Sequence, residues 1–111
     1  MGANLSNGEE LLIKALKVET FEKGNIIYAT GEAEARIQDG LEIFANNFEY
    51  DKNQGLLIAS GKVKVLDKKN QIILNSELIH YTEIDSKITS YDKTDINIKD
   101  KYFIKTKNLN Y

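Results

Sequence analysis

The chain has 111 residues, with 15 Lys+Arg against 17 Asp+Glu, 41% hydrophobic and 29% charged side chains. That is the size and composition of one ordinary domain, and a formal net charge of −2 excludes a generally basic binder of nucleic acid or membrane surfaces. The lack of Cys and the single His exclude disulfide scaffolds, thiolate chemistry and Cys-ligated zinc, and the lack of Pro favours regular, continuously hydrogen-bonded backbone.

Charge is unevenly spread. Residues 1–55 carry 5 basic and 10 acidic side chains, residues 56–111 carry 10 basic and 7 acidic. An acidic half followed by a basic half is compatible with end-to-end association of copies and equally with an ordinary solvated surface. Met1-Gly2-Ala3-Asn4 lacks the charged-then-apolar run of a secretory signal. No apolar run approaches the roughly 20 residues of a membrane-spanning helix.

Glu9-Glu10-Leu11-Leu12-Ile13-Lys14-Ala15-Leu16-Lys17-Val18 fits either a short helix capped by Ser6, with Glu9 three residues on, or a first strand. A tail or helix turn near residues 7–12 leading into a strand from about Ile13 is the reading adopted, which divides the chain into 1–12 and a domain over 13–111. Beyond it the apolar period is two. Ile27, Ala29, Gly31, Ala33, Ala35 and Ile37 alternate with Tyr28, Thr30, Glu32, Glu34 and Arg36. Leu57, Ala59, Gly61, Val63 and Val65 alternate with Ile58, Ser60, Lys62 and Lys64. Ile72, Leu74, Ser76 and Leu78 are expected on the dry face, with Ile73, Asn75, Glu77 and Ile79 on the wet one; Thr94, Ile96 and Ile98 follow the same rule. Asp39-Gly40, Asp51 to Gly55, Asp67 to Asn70, Glu83 to Ser86 and Asp100-Lys101 supply the turns.

These segments repeat. Ile27-Tyr28-Ala29-Thr30-Gly31 and Leu57-Ile58-Ala59-Ser60-Gly61 stand 30 residues apart, and Lys87 to Tyr91 stands 30 further on, with Tyr91 in the glycine's place. Tyr50, Tyr81 and Tyr111 close the second half of successive units at spacings of 31 and 30. Each unit of about 30 residues therefore holds two strands and two turns. Two strands with one apolar face cannot bury it alone, so stacked units must face one another across a shared oily seam. The small residues Ala29, Gly31, Ala33, Ala35, Ala45 and Ala59 on that face either allow close packing or leave room for a hydrocarbon guest. The first and last strands are edges unguarded by Pro and open to strand addition. Asn108 to Tyr111 ends on a repeat column, which predicts a piece of a longer array.

The stretch Lys23 to Ala35, followed by Leu41 to Tyr50 and again by Leu57 to Tyr81, resembles the OstA-like (organic solvent tolerance) domain of lipopolysaccharide transport. The likeness rests on a Gly-containing turn, a strand ending in Thr-Gly or Ser-Gly, an alternating strand, and an Ala-Asp-x-hydrophobic-x-Tyr segment. It covers residues 13–111. Asn46, Glu77 and Lys107 stand where that family often has Asp, and Tyr91 where it has Gly. The resemblance implies an all-β, folded-over antiparallel structure, a β-taco or β-jellyroll, with a hydrophobic groove. It also implies a periplasmic module of a Gram-negative bacterium that holds lipopolysaccharide acyl chains and passes them toward the outer membrane. Head-to-tail edge-strand pairing would join it to its own copies or to other β-jellyroll components. Of the family's three settings (soluble bridge, inner-membrane component, outer-membrane assembly barrel) the Lys101–Tyr111 ending looks most like the barrel protein's N-terminal domain. The residues expected to line the groove are Ile27, Ala29, Ala33, Ala35, Ile37, Leu41, Ile43, Ala45, Phe48, Leu57, Ala59, Val63, Val65, Ile72, Leu74, Ile96, Tyr102 and Ile104.

No cofactor, metal or catalytic set is expected. On a strand, His80 and its neighbours Glu77 and Glu83 point to opposite faces. The glycines fall at turn spacing rather than in a phosphate loop, the serines share repeat positions with Thr, and the Asp92–Asp95 run lacks the spacing and Gly of a calcium loop. The rival readings are a structural β-repeat scaffold or adhesin segment with a filled core and no lipid, and a carbohydrate-active enzyme, which needs paired carboxylates at one cleft.

Overall fold

Period-two patterning becomes eleven strands in a computed structural model, which describes residues 3–6, 11–37, 40–91, 94–98, 102–106 and 109–110. They are β1 (Ala3–Ser6), β2 (Leu12–Ala15), β3 (Lys17–Phe21), β4 (Ile26–Ile37), β5 (Leu41–Asp51), β6 (Leu56–Asp67), β7 (Ile72–Thr82), β8 (Lys87–Ser90), β9 (Thr94–Ile98), β10 (Tyr102–Thr106) and β11 (Leu109–Asn110). One open antiparallel sheet runs β1-β2-β4-β5-β6-β7-β8-β11, with β3 also on β4, β9 also on β7, and β10 on β9. No α-helix occurs among the described residues. Residues 7–10 of the expected helix turn lie outside them. Leu12 is already in strand, paired with Ser6 and Arg36, because Leu11, Ile13 and Ala15 point inward while Leu12 and Lys14 point out.

The sheet is folded across its middle. The register shifts once in each long strand pair, between Thr30 and Ala33, Phe44 and Asn47, and Ser60 and Val63. At two of these places consecutive residues take left-handed backbone: Gly31 and Glu32 (φ 86° and 46°), and Gly61 and Lys62 (φ 82° and 51°). Each pair opposes a single residue, Asn46 and Glu77 respectively, which is a bulge that bends its strand without ending it. Space is tight at position 61 as well: an added Cβ would lie 2.7 Å from Asn46 Nδ2 and 3.0 Å from Asn46 Cβ, so Asn46 would have to shift.

The bend divides the molecule into two arms. One holds β3, β8, β11 and the stretches 26–30, 47–51, 56–60 and 78–82; the other holds β1, β2, β9, β10 and the stretches 33–37, 41–44, 63–67 and 72–76. A straight 12-residue strand would span about 40 Å, and strands stack about 4.8 Å apart. The molecule measures 44 × 26 × 23 Å.

Strict alternation fails at the bend, in two different ways. In β4 and β6 the last buried residue of one arm and the first of the other are four apart, Ala29 to Ala33 and Ala59 to Val63. In β5 and β7 they are three apart, Ala45 to Phe48 and Ser76 to Ile79. The expectation that Leu78 faces in and Ile79 out is thus reversed: Ile79 is 0% exposed and Leu78 only half-buried. The single residue opposite each bulge turns its strand's parity, so Ile79 continues the dry face begun by Leu74. In the third unit the expected place of Tyr91 in the glycine column is corrected: Ser90 pairs with Ile79 as Ala59 does, and the Tyr91 N–H donates to the Leu78 carbonyl at 3.2 Å, so Tyr91 stands where Ser60 stands one unit earlier, just past the end of β8.

Candidate functional site

The residues nearest the bend are mostly small but not all so: Ala15, Ala29, Ala33, Ala45 and Ala59 stand there with Phe48, Val63 and Ile79, all buried. Ser76 and Ser90 occupy the same columns one repeat later. They too are buried, and their hydroxyls meet at 2.9 Å, which satisfies the two polar groups that replace two methyls. The seam is sealed at the corner by the protein's own atoms, with Phe48 and Ile79 among the smaller side chains.

Away from the bend the residues grow. Tyr50, Leu57, Tyr81 and Ile88 form one row across four strands, all nearly inaccessible. The Tyr50 hydroxyl donates to Glu83 Oε1 at 2.6 Å, and the Glu83 N–H donates to the Gly55 carbonyl at 2.8 Å. These contacts tie the β7–β8 turn to the turn beside it. Burial raises the Tyr81 hydroxyl above the usual tyrosine value, the Ser86 hydrogen bond offsets part of this, and Glu83 and Asp85 raise it further. On the facing arm Asp67 caps its turn, accepting from the Asn70 N–H at 3.1 Å and from Asn70 Nδ2 at 2.9 Å.

Between these tied turns the arms part. A cleft of about 920 Å³ opens there, with Leu11, Ile37, Leu41, Tyr81, Ile84 and Ile88 as its apolar wall and Lys52, Asp67, Lys69 and Glu83 among its polar lining. Ile84 is 91% exposed at the tip of the tied β7–β8 turn. The cleft is within the size range of pockets that hold small amphiphiles and cofactors.

Of the residues expected to line a groove, Ile27, Ala29, Ala33, Ala35, Ile43, Ala45, Phe48, Leu57, Ala59, Val63, Val65 and Leu74 are buried in one continuous core. Ile37, Leu41 and Ile72 are half-buried against it, and Ile37 and Leu41 reach the cleft. The side chains of Ile96, Tyr102 and Ile104 lie outside the described residues; their backbone pairs Ile96 with Leu74 and with Ile104, and Tyr102 with Ile98. Alternation alone did not single out Leu11, Tyr81, Ile84 and Ile88. The signal for Ile84 was present: it is the apolar member of a turn column whose other members are Lys23 and Asn53.

On the outer face His80 packs against Tyr91, with ring centroids 4.5 Å apart and the planes inclined by 55°, and burial lowers its pKa. Glu34, Arg36, Glu42 and Lys68 form a run of ion pairs at 2.7 to 3.7 Å, exposed enough to contribute little stability. No three His, Asp or Glu are grouped to hold a metal ion among the described residues.

No protein-family model and no curated protein matches the sequence. Among solved structures the chain is similar to LptH of Pseudomonas aeruginosa, described as the LptA-homologous periplasmic component of the conserved lipopolysaccharide transport device. The TM-score is 0.80 at 14% identity, over 94% of this chain and 76% of that one. At that identity the likeness is one of architecture: this all-β chain has the folded-over β-jellyroll of a lipopolysaccharide-transport component.

Proposed function

We propose that this chain is a periplasmic lipopolysaccharide-binding transport module and not an enzyme. One observation carries this reading: a single apolar face is folded on itself, sealed at the corner and open at the mouth as a cleft with one apolar wall and a polar rim, in the architecture of a lipopolysaccharide-transport component. Burying a methylene stabilises a bound chain by about 0.8 kcal/mol, so acyl chains gain from entering. Sugars have no place in the seam and stay in water. Many similar aliphatic contacts with few polar anchors hold a chain without fixing its position, which suits transfer between modules. Among the described residues the outer strands β1, β3, β10 and β11 have a neighbour on one side only and are the edges through which copies or other β-jellyroll components would join, in the soluble bridge or in a periplasmic domain of an outer-membrane assembly protein.

The filled-core scaffold remains the second reading, supported by a corner that its own alanines close. Photo-crosslinking separates the two. A crosslinker at Ile37 or Leu41 should capture lipopolysaccharide, one at outward-facing Lys64 should not, and one at Ala33, Ala45 or Val63 should do so only when the arms spread. Equal labelling at Leu41 and Lys64, or none anywhere, would sink the transport reading.

A further inference from the structure

Three turns line the mouth of the cleft, and they are built differently. Asp51 closes the β5–β6 turn by accepting from the Asn53 and Gln54 N–H groups at 2.9 and 3.2 Å. Asp67 closes the β6–β7 turn of the facing arm by accepting from Asn70. The tips of both are polar, Lys52-Asn53-Gln54 and Lys68-Lys69-Asn70. The β7–β8 turn has Thr82 where the others have Asp, and it closes on a backbone bond from the Ser86 N–H to the Glu83 carbonyl at 3.3 Å. Its anchors lie at its two ends. Glu83 is held to the neighbouring turn through the Gly55 carbonyl at 2.8 Å and the Tyr50 hydroxyl at 2.6 Å; Ser86, in left-handed backbone at φ 52°, hydrogen-bonds Tyr81. Between these points stand Ile84 and Asp85. Ile84 lines the cleft yet is 91% exposed, a large apolar side chain on a turn whose counterparts carry Lys23 and Asn53 at that place.

We propose that the β7–β8 turn is a flap, hinged at Glu83 and Ser86, which folds Ile84 inward onto a hydrocarbon chain in the cleft and slows that chain's release. This rests on the lipid-binding reading above and adds a moving part to it. The driving force depends on what fills the cleft. Closing over water gains the isoleucine nothing, whereas closing over a hydrocarbon chain laid against Leu11, Leu41 and Ile88 buries Ile84 and the chain together. Occupancy thus selects the closed form. The other two turns do not follow, because each is capped by its own Asp and has no apolar tip to bury.

The chain has no Cys, so spin labels attach only where a cysteine is introduced. One pair, Lys69→Cys with Asp85→Cys, spans the mouth to the flap. A second, Lys69→Cys with Asn53→Cys, spans it to the capped turn on the same arm as the flap. All three side chains are exposed, so the variants fold. The probe is dodecyl maltoside, an alkyl chain with an uncharged head, kept monomeric. On binding, the first distance should shorten and the second should stay as it is. Ile84→Ser in the first pair should abolish the shortening, and in the unlabelled chain it should speed release of the probe by roughly fivefold while changing association by less than about twofold. Binding with the first distance unchanged, equal shortening of both distances, or a release rate indifferent to Ile84→Ser would overturn the flap and leave the lipid reading intact. Failure of the probe to bind would overturn the lipid reading and the flap together.

Discussion

The corner and the mouth belong to the same strands, yet they are built from different side chains. Along β4 the inward series runs Ala33, Ala35, Ile37 from the bend to the tip; along β5 it runs Ala45, Ile43, Leu41; along β6 it runs Ala59, Leu57 in one arm and Val63, Val65, Asp67 in the other. Along these series the side chains grow from bend to tip, a gradient that widens the V, while Phe48 and Ile79 help fill the corner. Exposure follows it: Ala35 and Ile43 are 0% exposed, whereas Ile37 and Leu41 are half-buried and reach the cleft. The corner therefore supplies stability and the mouth supplies access, and substitutions of one chemical type should have opposite consequences in the two places.

The largest difference should come from truncating an isoleucine in each. Ile43→Ala removes a fully buried side chain from the core and should cost about 2–5 kcal/mol. Ile84→Ala, at 91% exposure, should change stability by no more than about 0.5 kcal/mol while weakening capture of lipid. Urea denaturation paired with a lipid-binding titration reads both. A comparable loss of stability at the two sites would break the division into corner and mouth.

A finer contrast separates the bend from an ordinary turn. Gly61 and Gly24 have similar positive φ, 82° and 89°, so alanine is strained by about 1–2 kcal/mol at either. At Gly24 nothing lies within 4 Å of the added Cβ, but at Gly61 it meets Asn46 Nδ2 at 2.7 Å and Asn46 Cβ at 3.0 Å. Gly61→Ala should therefore lower the denaturation midpoint clearly more than Gly24→Ala, and Asn46→Ala should recover part of the difference. Equal costs would mean that backbone strain alone, and not the close crossing of strands at the bend, sets the requirement for glycine.

Much of this architecture was legible in the residues because period two, turn chemistry and a repeat of about 30 all point the same way. Ile27, Ala29, Leu57, Ala59 and Leu74 are inside because each sits in an uninterrupted alternating run. The misread pair, Leu78 and Ile79, lies one residue past Glu77, where the neighbouring strand carries Gly61 and Lys62. A bulge on one strand resets the parity of its partner, and that information sits about 16 residues away in sequence, beyond the reach of local alternation. The cleft was less legible for a related reason. Leu11, Ile84 and Ile88 come from segments that alternation leaves ambiguous, and only the fold brings them to one opening.

The end of β8, where Tyr91 follows Ser90, supports the smallest effect. Tyr91 is 51% exposed and its ring lies over His80, whose pKa burial lowers from the usual 6.5. With the folded value below the unfolded one, the unfolded chain binds more protons over the interval between them, so stability rises with pH there. The contribution of His80 is undiminished above pH 6.5 and is lost as pH falls from 6.5 through the lowered folded value. Thermal midpoints of the wild-type chain should thus fall more between pH 7.5 and 5.5 than those of His80→Gln. Tyr91→Ala, which uncovers the imidazole, should bring the wild-type dependence toward that of the His80 variant. Identical pH dependence in all three would show that the contact with Tyr91 on the outer face does not hold His80 neutral.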